Sequence, residues 1–173
     1  MAVLKSKPPI VGFRYEVNII PEVNPQKVSF SNAGSVVTSA VSMAGDAGFT
    51  EVSGISVTLE TDDIETGDGD YIALPKIKKY SPLTLKRGLT GAQSELMTWV
   101  AETILAESGK ISVTTKAVVV KLLNERGEPM AYWLFTGAYP TKWSVSGLKA
   151  MTNELVIEEL EIKYKAFYPV FLE

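Results

Sequence analysis

Strict alternation of polar and apolar side chains is the feature of this sequence that most limits its fold. In the segment 159–165 (ELEIKYK), Leu160, Ile162 and Tyr164 alternate with charged residues. The charged residues are Glu159, Glu161, Lys163 and Lys165. Successive side chains of a β-strand point to opposite faces of its sheet, so this pattern predicts a strand with one apolar and one fully polar face. The chain therefore needs a sheet that is covered on one side and wet on the other.

The same alternation predicts strands in the first half of the chain. Residues 13–20 (FRYEVNII) and 55–60 (ISVTLE) place apolar and polar side chains in turn. Residues 71–80 (YIALPKIKKY) and 83–89 (LTLKRGL) predict two short strands, and a meander is the simplest connection between them. Antiparallel pairing with short connections is therefore expected in this half.

A β-hairpin is predicted further along. Residues 111–123 (ISVTTKAVVVKLL) read as a long strand, and 124–129 (NERGEP) contain the Gly and Pro of a turn. Residues 131–139 (AYWLFTGAY) form the return strand of this hairpin. The segment 139–148 (YPTKWSVSGL) is interpreted as a loop.

One helix is predicted over about residues 94–108. Thr90 and Gln93 have the spacing of a capping box, and Ser108-Gly109 ends the segment with glycine at the usual place. Its apolar stripe contains Leu96, Trp99, Val100 and Ile104. Its polar face carries Glu95, Glu102 and Glu107.

These elements predict a mainly β fold, an antiparallel β-sandwich or partial barrel with one α-helix. A chain of 173 residues has room for one domain, which we expect to span residues 1–173. The small and polar residues of 21–48 predict a long loop excursion. Residues 166–173 are expected to form a C-terminal extension.

Composition excludes several kinds of chemistry. The chain contains no Cys and no His, which removes disulfides, thiolate metal sites and the commonest general base at neutral pH. We therefore expect neither an enzyme nor a bound cofactor. The net charge of −3 disfavours binding to nucleic acid in general. Pro8-Pro9 interrupt the N-terminal segment, so we expect no signal peptide, no membrane span and synthesis in the cytoplasm.

An acidic run is followed directly by a basic block. The acidic residues are Asp62, Asp63, Glu65, Asp68 and Asp70, and the basic residues are Lys76, Lys78, Lys79, Lys86 and Arg87. The spacing of the acidic run does not match a calcium-binding loop, and the basic residues lack a phosphate-loop pattern. Two interpretations stay open at this point. The charges form a solvated surface, or the two patches meet between copies of the chain.

Aromatic residues cluster in the predicted hairpin and the segment after it, at Trp133, Phe135, Tyr139 and Trp143. Stacking on single-stranded bases would require basic residues between them, and only Lys142 is present. A place in a core or an interface is therefore favoured.

Three segments resemble phage-type tail tube proteins. Residues 49–61 (FTEVSGISVTLET) resemble an entry strand of that family, and 74–90 (LPKIKKYSPLTLKRGLT) resemble its K-Y-x-x-I-T-L-K-R-G-V-T core. Residues 132–160 resemble its W-x-F-x-x-A-W-P-x-K-W segment and the N-E-V-A-I-E stretch that follows. The likeness is greatest to inner-tube subunits of contractile tails and of extracellular contractile injection systems.

This resemblance implies a hexameric ring whose subunits share strands in one continuous β-barrel, with rings stacked into a hollow tube inside a sheath. It implies that Glu159, Glu161, Lys163 and Lys165 line a wet lumen, because a channel of many strands is too wide to fill with side chains. The acidic run and the basic block would then meet at subunit interfaces, with Lys86-Arg87 ending a barrel strand. Glu95, Glu102 and Glu107 would face the sheath.

The implied partners are copies of the chain, a sheath protein, a baseplate or neighbouring tube protein, and a tape measure or effector cargo in the lumen. The excursion at 21–48 and the ending at 166–173 depart from the pattern of the main tube subunit, and they suggest a specialised ring, such as a tube initiator or a terminal ring, in a virion-like or extracellular injection particle. Two alternatives are a monomeric β-sandwich that binds a ligand and, less favoured, an enzyme that uses carboxylates. Sedimentation distinguishes the tube subunit from both.

Overall fold

The architecture is taken from a computed structural model, which describes residues 14–21, 28–29, 31–41, 46–89, 94–105, 113–147 and 155–171. Within these ranges lie nine strands and two helices. The strands are β1 (Arg14–Ile20), β2 (Asp46–Ser53), β3 (Val57–Glu65), β4 (Tyr71–Tyr80), β5 (Leu83–Gly88), β6 (Lys116–Leu123), β7 (Pro129–Val145), β8 (Ile157–Lys163) and β9 (Ala166–Phe171). The helices are α1 (Ala33–Val41) and α2 (Glu95–Ile104).

Six strands close into an antiparallel barrel. The sheet order is β6-β1-β2-β5-β8-β7-β9, and an additional pairing of β6 with β7 closes the ring of strands. Strand β7 is long enough to pair with β6 and β9 through its first half and with β8 through its second half. The prediction of a mainly β, antiparallel, partly barrel-like fold is confirmed.

The barrel interior is filled by the apolar faces that the alternation predicts. Leu160, Ile162 and Tyr164 of the β8 segment join Leu83 and Leu85 of β5 in one buried cluster. Helix α2 adds Leu96, Trp99 and Val100 to the same cluster. Full burial of a side chain of this size stabilises a fold by about 1.5–3 kcal/mol, so this cluster is the main source of stability.

Helix α1 packs on the outside of the barrel, within the segment expected to be a loop. Ala33 and Val37 lie one turn apart and pack against Val119 and Leu134 in a second buried cluster. Strand β6 therefore has one face toward the interior and the other toward α1. Burial on both faces explains its nearly continuous apolar sequence.

Strands β3 and β4 form a hairpin inserted between two neighbours of the barrel. Strand β2 pairs with β5 directly, and the hairpin (57–80) is a separate two-stranded sheet. The predicted meander between β4 and β5 is therefore wrong. At the root of the hairpin Gly54 has φ +83°, and a Cβ there would lie 1.8 Å from the carbonyl oxygen of Pro82. Only glycine fits at this crossing.

Two other local predictions differ from the structure, and the predicted C-terminal extension contains a strand. The segment 139–148, expected to be a loop, continues strand β7 to Val145. The helix α2 has Ser94 as its N-cap, whose hydroxyl accepts from the backbone N–H of Met97, while Thr90 and Gln93 lie outside the described residues. The C-terminal stretch contains β9, which pairs with β7.

Candidate functional site: a charge ladder and an exposed hairpin

The polar faces of four adjacent barrel strands carry a connected set of charges, here called the charge ladder. It consists of Glu51 on β2, Lys86 on β5, Glu159 and Glu161 on β8, and Lys142 on β7. The Lys86 Nζ lies 3.1 Å from Glu51 Oε1 and 3.9 Å from Glu159 Oε2. The Lys142 Nζ lies 3.3 Å from Glu159 Oε1 and 3.0 Å from Glu161 Oε1. The charges alternate in sign across the strands.

The strand register produces this alternation. Lys86 is directly opposite Glu159, and Lys142 is opposite Glu161, so their side chains share the outer face of the barrel. Hydrogen bonds to Glu161 and then Glu159 raise the pKa of Lys142 above its ordinary value. The ladder lies on the side of the sheet opposite to the buried cluster.

Two of the four predicted lumen-lining residues belong to the ladder, and the other two continue it. Glu159 and Glu161 are partly exposed, and Lys163 and Lys165 are exposed beyond them. Their place in a lumen stays a prediction. Sequence reasoning did not assign Glu51 and Lys142 to this face. The period-2 spacing of Lys142 and Ser144 was the available signal, but it was hidden by the interpretation of 139–148 as a loop.

Arg87 lies inside the barrel. Its Nε donates to Glu158 Oε2 at 2.7 Å, and the two side chains are 4% and 5% exposed. Trp143 Nε1 donates to the other oxygen of Glu158 at 2.8 Å, and the guanidinium lies 5.0 Å from the centre of the Phe49 ring. Alternation on β5 explains the placement, because Leu83, Leu85 and Arg87 share the inward face. Arg87 is thus part of an internal network.

Much of the acidic run and the basic block lies on the β3–β4 hairpin, where some of the charges pair within the chain. Lys76 Nζ lies 3.0 Å from Asp62 Oδ2, and Lys79 pairs with Glu60. Within the described residues no ion pair joins the remaining charges of this hairpin to a partner. Those charges are Asp63, Glu65, Asp68, Asp70 and Lys78. Contact of these groups with another subunit stays a prediction.

The hairpin also exposes apolar side chains on both of its faces. In its outer part Ile64 is opposite Ile72, and Asp62 is opposite Leu74, so the three apolar residues share one face. Ile64, Ile72 and Leu74, here called the apolar patch, are 50%, 51% and 46% exposed. Other large exposed residues are Val57, Leu59, Tyr71 and Ile77. A projecting two-stranded ribbon of this composition is typical of a surface that another molecule covers.

Helix α2 carries two of the predicted sheath-facing residues on its exposed side. Glu95 and Glu102 are exposed, while Leu96, Trp99 and Val100 are buried against the barrel. Glu107 lies outside the described residues. The contact with a sheath stays a prediction.

The aromatic residues pack in and around the core, as predicted. Phe135 is buried in the interior cluster, and Trp133, Tyr139 and Trp143 pack against it. At the root of the hairpin a small cavity of about 280 Å³ is lined by Tyr80, Ser81, Pro82, Tyr139, Lys163 and Tyr164.

The described parts of the chain hold no group of three or more acidic residues placed to bind a metal ion. Neither helix in those parts is long and apolar enough to cross a membrane.

Comparison with known proteins gives one family and a set of solved structures. The model of the family "T4-like virus tail tube protein gp19" matches residues 11–168. No curated protein matches the chain. Because the family match covers most of the chain, it shows the family directly.

Three solved structures are similar over nearly their whole length. A chain of the anti-feeding prophage baseplate, 6-fold symmetrised, is 24% identical, with a TM-score of 0.70, over 96% of this chain and 98% of that chain. A chain of the anti-feeding prophage cap, which terminates the tube, is 18% identical, with a TM-score of 0.68, over 99% and 97%. A chain of the sheath-tube complex of the PVC extracellular contractile injection system is 19% identical, with a TM-score of 0.65, over 95% and 93%.

At these identities the solved structures establish a shared fold, and the family match covers all six barrel strands. The chain therefore belongs to the tail tube protein family of T4-like viruses.

Proposed function

We propose that this chain is a structural subunit of the inner tube of a contractile, phage-tail-like injection particle. In this proposal six copies form a ring, as the 6-fold symmetrised baseplate relative suggests, and rings stack around a hydrophilic lumen. The family and the similar structures are structural tube proteins, which agrees with the expectation that the chain is not an enzyme.

The charge ladder is the observation that carries the proposal. Its five charged side chains lie on the outer wall of a barrel whose interior is already filled. Charged groups of this density need water, so the wall cannot be covered by an apolar partner without a large loss of hydration free energy. A wet lumen supplies that water and leaves the rest of the surface for contacts between subunits.

The β3–β4 hairpin is the surface proposed for contacts between copies. Its apolar patch is about half exposed in the single chain, and a neighbour that covers it would contribute burial of the kind that drives association. The charges on the hairpin that find no partner among the described residues, Lys78 and Asp63 among them, would pair across the same contact. Arg87 is omitted from this surface because it is buried.

Further partners of this chain are inferred from the similar solved structures. The sheath-tube complex contains a chain of this fold, so we infer a sheath protein as a partner, with Glu95 and Glu102 of α2 as the contact. The baseplate and cap structures also contain chains of this fold. The chain is accordingly proposed to act as a main tube subunit, a tube initiator or a terminal ring. A tape measure or effector would occupy the lumen, and the particle would be virion-like or extracellular.

Sedimentation velocity and negative-stain electron microscopy of the purified protein test this function. We expect rings or short tubes with a stain-filled centre. A monomer at high protein concentration, without any ring by microscopy, would overturn the proposal and favour a ligand-binding module that uses the cavity between Tyr80 and Lys163.

A further inference from the structure

The charge ladder is balanced as well as polar. Each carboxylate in it lies within 4.0 Å of a lysine ammonium group, and each of its lysines contacts two carboxylates. Lys163 and Lys165 continue the same face beyond Glu161. The described wall therefore carries three carboxylates and four ammonium groups, a net charge of only +1.

The order of the charges matters as much as their sum. Adjacent strands lie about 4.8 Å apart, so a carboxylate and an ammonium group alternate at roughly that spacing. The fields of alternating charges cancel at distances greater than their separation. The separation of the alternating charges is shorter than the Debye length, which is about 8 Å at physiological ionic strength. A molecule separated from the wall by one or two layers of water therefore experiences little potential.

A wall of one sign would behave differently. It would concentrate cargo of the opposite charge and repel cargo of its own charge, with effects on local concentration of about tenfold or more. Cargo held at the wall would then have to be released before it could move. The ladder avoids both effects because its charges are neutralised within the subunit.

We propose that the lumen is indifferent to the charge of its cargo and conducts polypeptides of either net charge without retaining them. This inference rests on the proposed function, since it requires the ladder to face the lumen. The cargo would therefore be selected by something other than the charge of the tube wall, such as a loading partner or its size.

The test uses assembled rings or tubes of the full chain and two fluorescent peptides of equal length, one rich in lysine and one rich in glutamate. Co-sedimentation at physiological ionic strength measures how much of each peptide the assemblies retain. We expect the unchanged protein to retain neither. Lys142→Glu changes the net charge of the wall from +1 to −1 and places a third carboxylate beside Glu159 and Glu161, so it should raise retention of the lysine-rich peptide about tenfold. Glu159→Gln with Glu161→Gln should do the same for the glutamate-rich peptide.

Arg126→Glu is the matched control, because it makes the same charge reversal in the exposed turn between β6 and β7. Equal retention of the lysine-rich peptide by Arg126→Glu and Lys142→Glu would overturn the proposal, since the effect would then come from total charge. Retention of either peptide by the unchanged protein would also overturn it. Microscopy of each sample separates these outcomes from failure of the proposed function, in which no rings form at all.

Discussion

Arg87 and Glu158 show how one residue pair links several strands of the barrel. The pair joins β5 to β8 in register, Trp143 attaches β7 to it, and Phe49 of β2 packs on the guanidinium. Two charges in an apolar interior are costly unless each is satisfied, and here both oxygens of the carboxylate accept a hydrogen bond. A shift of β5 by one residue would place Arg87 on the wrong face, so the network also favours the observed register.

Substitution of Arg87 should therefore be strongly destabilising. Arg87→Met leaves the carboxylate of Glu158 buried without its cation, and we expect a loss of about 3–5 kcal/mol in the free energy of unfolding. Urea denaturation at fixed protein concentration measures it. Lys86→Met, which removes two partly exposed ion pairs at the preceding residue, should cost no more than about 1 kcal/mol. Equal losses in the free energy of unfolding for the two variants would show that the buried ion pair contributes no more to stability than the partly exposed pairs of Lys86.

Tyr164 gives the fold a sensitivity to alkaline pH. Burial, and then the nearby Tyr80, raise the pKa of Tyr164 from 10.0 to about 12. The folded protein therefore holds this proton more tightly than the unfolded chain does. The resulting stability is fully present below pH 10.0 and is lost as the pH rises toward 12.

Tyr164→Phe should reduce this loss. The variant also loses the hydrogen bond to the carbonyl oxygen of Gly54, so its stability at neutral pH should fall by about 1 kcal/mol. The informative quantity is the change in urea midpoint between about pH 9 and about pH 11.5, which should be smaller in the variant. Burial also raises the pKa of Tyr132, so part of the slope will remain. An unchanged slope would contradict the assignment to Tyr164.

At the level of secondary-structure elements, strands with regular alternation or a long apolar run, such as β8 and β6, were predictable, and segments whose local sequence favours another structure were not. The period-2 alternation gave β1 and β8, and Gly and Pro marked the β6–β7 turn. Strand β7 beyond Tyr139 was hidden because Pro140 and Gly147 suggest a loop. In the barrel, pairing with β8 overrides that local preference.

Helix α1 could not be predicted for a related reason. Its sequence, AGSVVTSAV, consists of small and β-branched residues with weak helix propensity. It is stabilised by contacts of Ala33 and Val37 with the outer face of β6 and β7. Such contacts depend on the tertiary fold and leave little local signal. Similarly, the sequence showed that Arg87 is basic but not that its strand turns it inward.

The hairpin is an element whose apolar surface has no structural use in a single chain. Leu74→Glu, in the apolar patch, should change the free energy of unfolding by no more than about 0.5 kcal/mol, because the side chain is 46% exposed. It should nevertheless abolish or strongly weaken ring formation in sedimentation velocity experiments. Thr58→Glu adds the same charge to the same hairpin outside the patch and should have a smaller effect. Normal assembly of the Leu74 variant would remove the patch from the interface.

For the whole molecule, the residues that stabilise the folded subunit and the residues proposed to act in assembly lie in different places. The barrel interior, the internal ion pair and α1 account for the folded subunit. The charge ladder occupies one outer wall, and the hairpin projects from the connection between β2 and β5. Because Lys76 and Lys79 are already paired on the hairpin, Lys78 is the lysine of this element whose charge is available to another copy.

Charge reversal at Lys78 tests whether the hairpin meets acidic groups of a neighbouring copy. Lys78→Glu should lower the fraction of assembled protein, most strongly at low salt, because like charges would then face each other across the contact. Adding Asp63→Lys and Glu65→Lys to the same chain exchanges the signs on both sides and should restore assembly. Arg126→Glu, the same reversal on the β6–β7 turn, serves as control. Sedimentation velocity at two ionic strengths measures the assembled fraction. If Lys78→Glu assembles as well as the unchanged protein at both ionic strengths, this charge pairing is ruled out. The apolar patch would then remain as the proposed contact.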